Sequence, residues 1–463
     1  MSREEEQEIG EKGAAQVEGQ FGLVQNPALQ AYVGGIGERL ALHSPRQSVA
    51  YRVRVIEMDE PNAFALPGGQ IYVSRGLVLL TNSKAELANV IAHEIGHVAA
   101  RHAAQRHAHA STFGLATLLG TIAAGGRGDE VESIGGPAGV AAYGRNQERA
   151  ADRIGMELAV SARVDPGGLA SFLRSLEKWE RLQHGFSAPQ SYFSSHPGTG
   201  ERIAEAASSA EVGRHSNAPL PNEDTSIHLA HLDGISVGRP ALEGTFVGER
   251  FVHADLGVSV RFPHGWEARN ENSQVVAVAP GHRAIVLMQL VGEGDDAAEA
   301  AKRNAEEEEF ELEGGVPVRV GGLAAFRARA TIATSFGPMD AEVTWLVFNG
   351  LVFRLAGGVS KGGLERYQGS FRSFVRSFRR LLPAEYEQIS DLRLELVRSQ
   401  EGETLREISR RTGNEWDLNQ TAVINAVGLE DGLAEGRLVK VAVRRLWVSR
   451  VDQPGRTGAA DGD

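Results

Sequence analysis

The chain has 463 residues, more than one hydrophobic core usually supports, so about two to four domains are expected. Its 48 basic and 60 acidic residues leave a net charge of −12, which excludes a general attraction to nucleic acid or anionic lipid. Cysteine is absent, which excludes thiolate metal ligands, disulfides and cysteine nucleophiles while fitting either an oxidising or a reducing compartment.

The opening MSREEEQEIG has neither a basic n-region nor an apolar run, so the sequence reads as cytoplasmic or as following a removed signal. Apolar residues at helical spacing from Ile9 to Leu40 predict two packing helices, and the alternation of Tyr51 to Met58 predicts a strand. In Asn62 to Leu80 the pair Gly68-Gly69 suits a tight turn. The segment Gly69, Gln70, Ile71, Tyr72 and Val73 then suits either an exposed strand that grips an extended peptide by main-chain hydrogen bonds or an ordinary hairpin.

The most informative stretch is SKAELANVIAHEIGHVAARH, from Ser83 to His102. Ser83 and Glu86 match a capping box that fixes a helix start. His93 and His97, four apart, lie about 40° apart around such a helix and about one turn apart along it, so both imidazoles can face one metal ion. Glu94 falls on the neighbouring face, where a carboxylate can accept a proton from water without being a ligand. Downstream, YGRNQERAADRIGMELAVSA places Glu148 and Asp152 on one helix face. Glu148 would complete a His2Glu zinc site, and Asp152 could hold the distal nitrogen of a ligand histidine.

The stretches NAFALPGGQIYVSRGLVLL, ELANVIAHEIGHVAARHAA, YGRNQERAADRIG and SSHPGTGERI resemble the signatures of the HtpX/BepA/CAAX-prenyl-endopeptidase family of gluzincin metallopeptidases, peptidase family 48 of the metallo class. The resemblance covers roughly Glu4 to Ala210. It implies a mostly helical zincin-like domain with a small sheet, one zinc ion per chain on His93, His97 and Glu148, and Glu94 as general base. It also implies that the His196 loop reaches the metal, either as a fourth ligand that displaces water or as a donor to the oxyanion, with Arg202 orienting that loop. Ala150 departs from the acidic residue of many relatives. His102, His107 and His109 are expected to decorate the end of the metal helix. The Gly- and Ala-rich Ser111 to Tyr143 reads as a gate or a passive loop, and its apolar core, Ser111 to Gly126, is too short for a membrane span.

The remainder divides by composition. A linker is expected over 211–245, a β-rich α/β domain resembling the PsbP-like fold over 246–385, a degenerate LysM-like module over 386–450 and a disordered tail over 451–463. Within the β-rich part, helices are expected at Asp296 to Glu313 and Leu364 to Leu381. The fold class expected is thus α+β and multidomain, with an antiparallel α/β sandwich in its second half. The function expected is zinc-dependent endopeptidase action on misfolded or envelope polypeptides in a bacterial periplasm or at a membrane surface. The alternatives are an envelope chaperone with a latent protease and a scaffold that binds peptidoglycan through the C-terminal modules. No nucleic-acid partner and no transmembrane segment are expected.

Overall fold

The computed structural model describes residues 1–103, 143–184, 192, 196, 199–215, 225–238, 240–270, 274–281, 283–334, 337–360 and 363–446. The stretch read as a gate, His107, His109 and the terminal tail therefore lie outside the described residues, apart from Tyr143. The architecture is α+β, in two compact units. One takes in Met1–Gly238 and Leu392–Arg444, the other centres on Arg239–Asp391.

The first unit opens with helices α1 (Arg3–Phe21) and α2 (Pro27–Ala41). Ser2 caps α1 by accepting from Glu5 N, and Asn26 caps α2 by accepting from Leu29 N, so each helix begins where a side-chain oxygen satisfies an orphan amide. A three-stranded sheet follows, from β1 (Arg52–Ile56), β2 (Ala63–Ala65) and β3 (Gln70–Ser74). Its order is β1-β3-β2, with β3 parallel to β1 and antiparallel to β2. This corrects the expectation of an exposed substrate edge at Gly69 to Val73. Both edges of β3 are already paired, Ile71 standing opposite Val53 on one side and Ala65 on the other, and the strand is buried throughout. The apolar run Ile71-Tyr72-Val73 after a turn fits a central strand as well as an edge.

Helix α3 (Arg75–Leu80) leads to α4 (Lys84–Ala99), the helix of the histidine pair. Then come α5 (Arg145–Ser161), α6 (Gly168–His184), α7 (Thr199–His215) and α8 (Thr225–Ala230). Strand β4 (Ser236–Val237) closes this part, so the stretch read as a linker carries a helix and a strand of the first unit. Every residue of α4 from Ala85 to Val98 is buried. A helix enclosed on all sides is a core element, and here it is the axis on which α2, α5, α6 and the small sheet pack.

In the second unit, β5 (Thr245–Val247), β6 (Arg250–His253) and β7 (Val258–Arg261) build a small sheet. The strands β8 (Glu267–Asn270), β9 (Gln274–Val278), β10 (Ala284–Glu293), β11 (Leu312–Val320), β12 (Leu323–Thr334), β13 (Gly337–Phe348) and β14 (Leu351–Ser360) form a seven-stranded sheet in the order β11-β12-β13-β14-β10-β9-β8. Every neighbouring pair in it is antiparallel. Helix α9 (Ala297–Glu307) covers one face and α10 (Leu364–Arg376) the other, each with its own apolar cluster. The helix expected to run to Glu313 stops at Glu307, and Leu312–Val320 is an edge strand. Its largely exposed residues lack the alternation that marks a half-buried strand.

The chain then returns to the first unit as β15 (Ser390–Arg398), α11 (Leu405–Thr412), α12 (Leu418–Ile424) and β16 (Leu438–Leu446). β15 pairs with β4, and Leu394, Trp416, Ile424 and Ala442 join the same apolar cluster as Ile91 and Ile95 of α4. No described helix is long and apolar enough to cross a membrane.

Candidate metal centre

The start of α4 is fixed by side chains. Ser83 Oγ accepts from Glu86 N at 3.1 Å, and Glu86 reaches back to accept from Asn82 N at 2.6 Å. Glu86 is buried and accepts a further hydrogen bond from Ser171 Oγ of α6.

Three turns on, α4 meets α5 backbone to backbone. A Cβ on Gly96 would stand 2.7 Å from Ala151 O, and one on Gly155 would stand 3.0 Å from His93 N. Glycine is required at both crossing points, because any side chain would wedge the helices apart. That contact carries Glu148, one turn into α5, under the two histidines.

The donor atoms converge. His93 Nε2 lies 2.9 Å from His97 Nε2 and 3.6 Å from Glu148 Oε2, and His97 Nε2 lies 3.4 Å from Glu148 Oε1. His196 completes the group, with Nδ1 3.0 Å from Glu148 Oε1 and 3.3 Å from His93 Nε2. All four residues are buried, and one donor atom from each lies within 4.8 Å of every other. Donors about 2.0–2.1 Å from a tetrahedral zinc ion stand about 3.3–3.4 Å apart, so the spacing suits such an ion.

Proton placement supports the same fit. His93 Nδ1 lies 2.8 Å from Asp152 Oδ1, so its proton sits on that nitrogen and Nε2 presents a lone pair. Two buried imidazole nitrogens 2.9 Å apart repel unless a proton or a metal ion lies between them. Both oxygens of buried Glu94 lack a hydrogen-bond partner among the described residues, and His196 Nε2 lies 3.6 Å from Oε1. A buried carboxylate so placed is oriented toward something other than the protein itself.

Behind the donors lies a layer of positioning groups. Arg202 bonds Asp152 through Nε at 2.9 Å and a terminal nitrogen at 2.7 Å, pairs with Glu148 Oε2 at 2.7 Å and donates to His196 O at 3.3 Å. Expected to orient the His196 segment, Arg202 contacts the third donor, the partner of His93 and the His196 backbone together from behind. Tyr192 stacks on His196 at 4.4 Å and Tyr143 on His97 at 3.8 Å. His102 is buried, with Nδ1 3.0 Å from His97 Nδ1, and so does not merely decorate a helix end. Sequence reasoning missed it because a ninth residue after His93 falls off the helical face.

Electrostatics follow this layout. Burial alone would raise the pKa of Glu148, but His196, His97 and His93 hold it far below the usual carboxylate range. Asp152 is likewise held low against burial by His93 and Arg202. Burial works to lower His93, but Asp152 overcomes it and the net shift is upward, whereas His97, without an anion at Nδ1, is pushed well below the ordinary value by burial. Burial opposes the Arg202 charge, and Asp152 more than restores it. The anions thus stay ionised as metal ligation requires.

The model of peptidase family M48 matches residues 27–210. The beta-barrel assembly-enhancing protease of Yersinia pestis is 30% identical over 216 residues, 44% of this chain and 44% of that protein. That of Escherichia coli strain K12 is 30% identical over 235 residues, 46% of this chain and 45% of that one. The mitochondrial metalloendopeptidase OMA1 of Bos taurus is 32% identical over 165 residues, 32% and 30% of the two chains. The match therefore spans less than half the length of these relatives. Among solved structures, cyanobacterial PsbP from Synechocystis sp. PCC 6803 is 11% identical, covering 29% of this chain and 96% of that one with a TM-score of 0.25. The match to the peptidase family M48 model spans residues 27–210, the part of the chain that holds the buried His93, His97 and Glu148.

Proposed function

We propose that this chain is a zinc-dependent endopeptidase. The observation that carries the reading is four buried donor atoms within 4.8 Å of one another, beside a buried carboxylate without a hydrogen-bond partner among the described residues. Zinc held there would act as a Lewis acid on the scissile carbonyl and would lower the pKa of the attacking water toward neutrality. His93, His97 and Glu148 would be the resident ligands, with Asp152 fixing the tautomer of His93. Glu94 would take the water proton and then deliver it to the leaving amine, so that the carboxylate ends each cycle as it began. With β3 paired on both sides, β2 is the sheet edge beside α4 that could align an extended peptide.

His196 Nδ1 occupies a fourth donor position, which supports reading this arrangement as a closed form that withdraws His196 before water attacks. A latent protease is therefore the second reading that an observation favours. Relatives named beta-barrel assembly-enhancing protease support polypeptides as the substrates.

The test is cleavage of an unfolded protein by the full chain, with metal content measured in parallel. About one zinc per chain is expected. Glu94→Gln should retain that zinc and lose about 10²- to 10⁴-fold in rate, the scale of general-base catalysis. His196→Ala should retain zinc and cleave faster than the wild type. Full activity in Glu94→Gln would sink the enzyme reading.

A further inference from the structure

Beyond the ligands and Asp152, the structure assigns His102 as a positioning residue that holds His97 for the metal by accepting a hydrogen bond from its Nδ1. This assignment rests on the metal reading above. For His97 to offer Nε2 to a metal ion, its proton must sit on Nδ1. The polar atom 3.0 Å from that Nδ1 is Nδ1 of His102, which must therefore be the unprotonated acceptor and carry its own proton on Nε2. The Tyr143 ring stacked 3.8 Å away limits tilt of the His97 ring but leaves its rotation in the plane free, so the hydrogen bond sets which way Nε2 points.

The backbone is shaped to make this contact. Helix α4 ends at Ala99, and Arg101 adopts a left-handed conformation, φ 61°, rare for a residue with a side chain. That turn folds the chain back so that His102 lies beneath His97 at 5% exposure, instead of continuing along the helix. Arg101 is held in place by an ion pair with buried Glu6 at 3.0 Å and by donation to Met1 O at 2.8 Å. A strained residue anchored by α1, immediately before a buried histidine aimed at a metal-site ligand, points to function more than to chain reversal. The two ligand histidines are thus held differently, His93 by the Asp152 carboxylate and His97 by a neutral imidazole.

The experiment titrates Zn2+ against a competing chelator in the full-length wild type, His102→Leu and His102→Asn. Leucine fills the space but cannot accept a hydrogen bond, whereas the Asn oxygen sits near the place of the imidazole Nδ1. Removing such a partner weakens metal binding about 10- to 100-fold, so His102→Leu should lose that much and His102→Asn should stay within about 3-fold of the wild type. Unchanged affinity in His102→Leu overturns the assignment, and so does an equal loss in both variants, which would make His102 a packing residue. A wild type that binds no zinc would instead overturn the metal reading itself. If His102→Leu does not fold, the histidine 15N spectrum of the zinc-loaded wild type decides. A His97 proton on Nδ1 protected from solvent exchange supports the bond, and a freely exchanging one overturns it.

Discussion

Two buried polar clusters among the described residues are built on opposite principles. In the second unit, Arg354 on β14 donates to Asn304 Oδ1 at 2.9 Å, to Glu308 Oε2 at 2.6 Å and to Gln289 Oε1 at 2.5 Å, while Trp345 Nε1 donates to the same Asn304 oxygen at 3.1 Å. Donors meet acceptors here, and among the described residues Arg354 Nε alone of the guanidinium nitrogens has no partner. Around α4 the reverse holds, since His93 Nε2, His97 Nε2, His196 Nδ1 and a Glu148 oxygen turn lone pairs toward one small volume. Burial alone therefore does not mark a functional site. The sign of what the buried groups present to one another does, because converging acceptors suit a shared proton or cation.

The largest effect expected from disturbing this contrast lies at the helix crossing. Gly155→Ala places a methyl group 3.0 Å from His93 N and 3.1 Å from Ala92 C, both backbone atoms that cannot swing aside. A loss of about 1–3 kcal/mol in chemical denaturation is expected, together with weaker Zn2+ binding as Glu148 moves away. Gly19→Ala on exposed α1, where a Cβ meets nothing within 4 Å, is the control and should gain about 0.5–1 kcal/mol. Equal behaviour of the two variants would show that the crossing does not position the third donor.

These crossing glycines mark the limit of what the sequence makes legible. Local periodicity brings His93, Glu94 and His97 onto one helix, and a second spacing brings Glu148 and Asp152 onto another. The structure sets these two groups against each other. That the helices touch through Gly96 and Gly155 is a pairing between distant segments, which no single helical period encodes. The same reason hides His102, which is placed by a left-handed residue and not by helical spacing, and it explains β3, whose apolar run does not say how many neighbours it has. In the second unit, the buried strands and both helices are legible from alternation and apolar stripes. The exposed strand β11 is not, because its pattern reflects solvent on both sides.

A second prediction concerns the return of the chain to the first unit. Lys440 on β16 is fully buried, and its Nζ donates to Leu79 O at 2.9 Å and Thr81 O at 3.0 Å, the carbonyls that end α3 just before the cap of α4. Lys440→Met should cost about 2 kcal/mol by leaving those carbonyls without donors. Burial pushes the Lys440 pKa well below its ordinary 10.5, with Glu86 only partly opposing it. Between the folded-state value and 10.5 the unfolded chain binds a proton that the folded chain does not, so stability rises with pH across that window. Denaturation midpoints measured from neutral pH to pH 10 should show this rise in the wild type and a smaller one in Lys440→Met. The same slope in both would remove Lys440 as its source.

The smallest effect is expected where donors already face acceptors. Arg354→Met removes the donor shared by Asn304, Glu308 and Gln289, but Asn304 keeps Trp345 as a partner and Glu308 is partly exposed and can turn to water. A loss of about 1 kcal/mol is expected, since the acceptors left behind are largely satisfied elsewhere. Because the cluster holds no converging lone pairs, Zn2+ affinity and cleavage should equal those of the wild type. A chelator titration of Arg354→Met beside Gly155→Ala measures the contrast directly. If the second-unit variant loses metal as readily as the crossing variant, metal affinity reports general stability and not the arrangement of donors around α4.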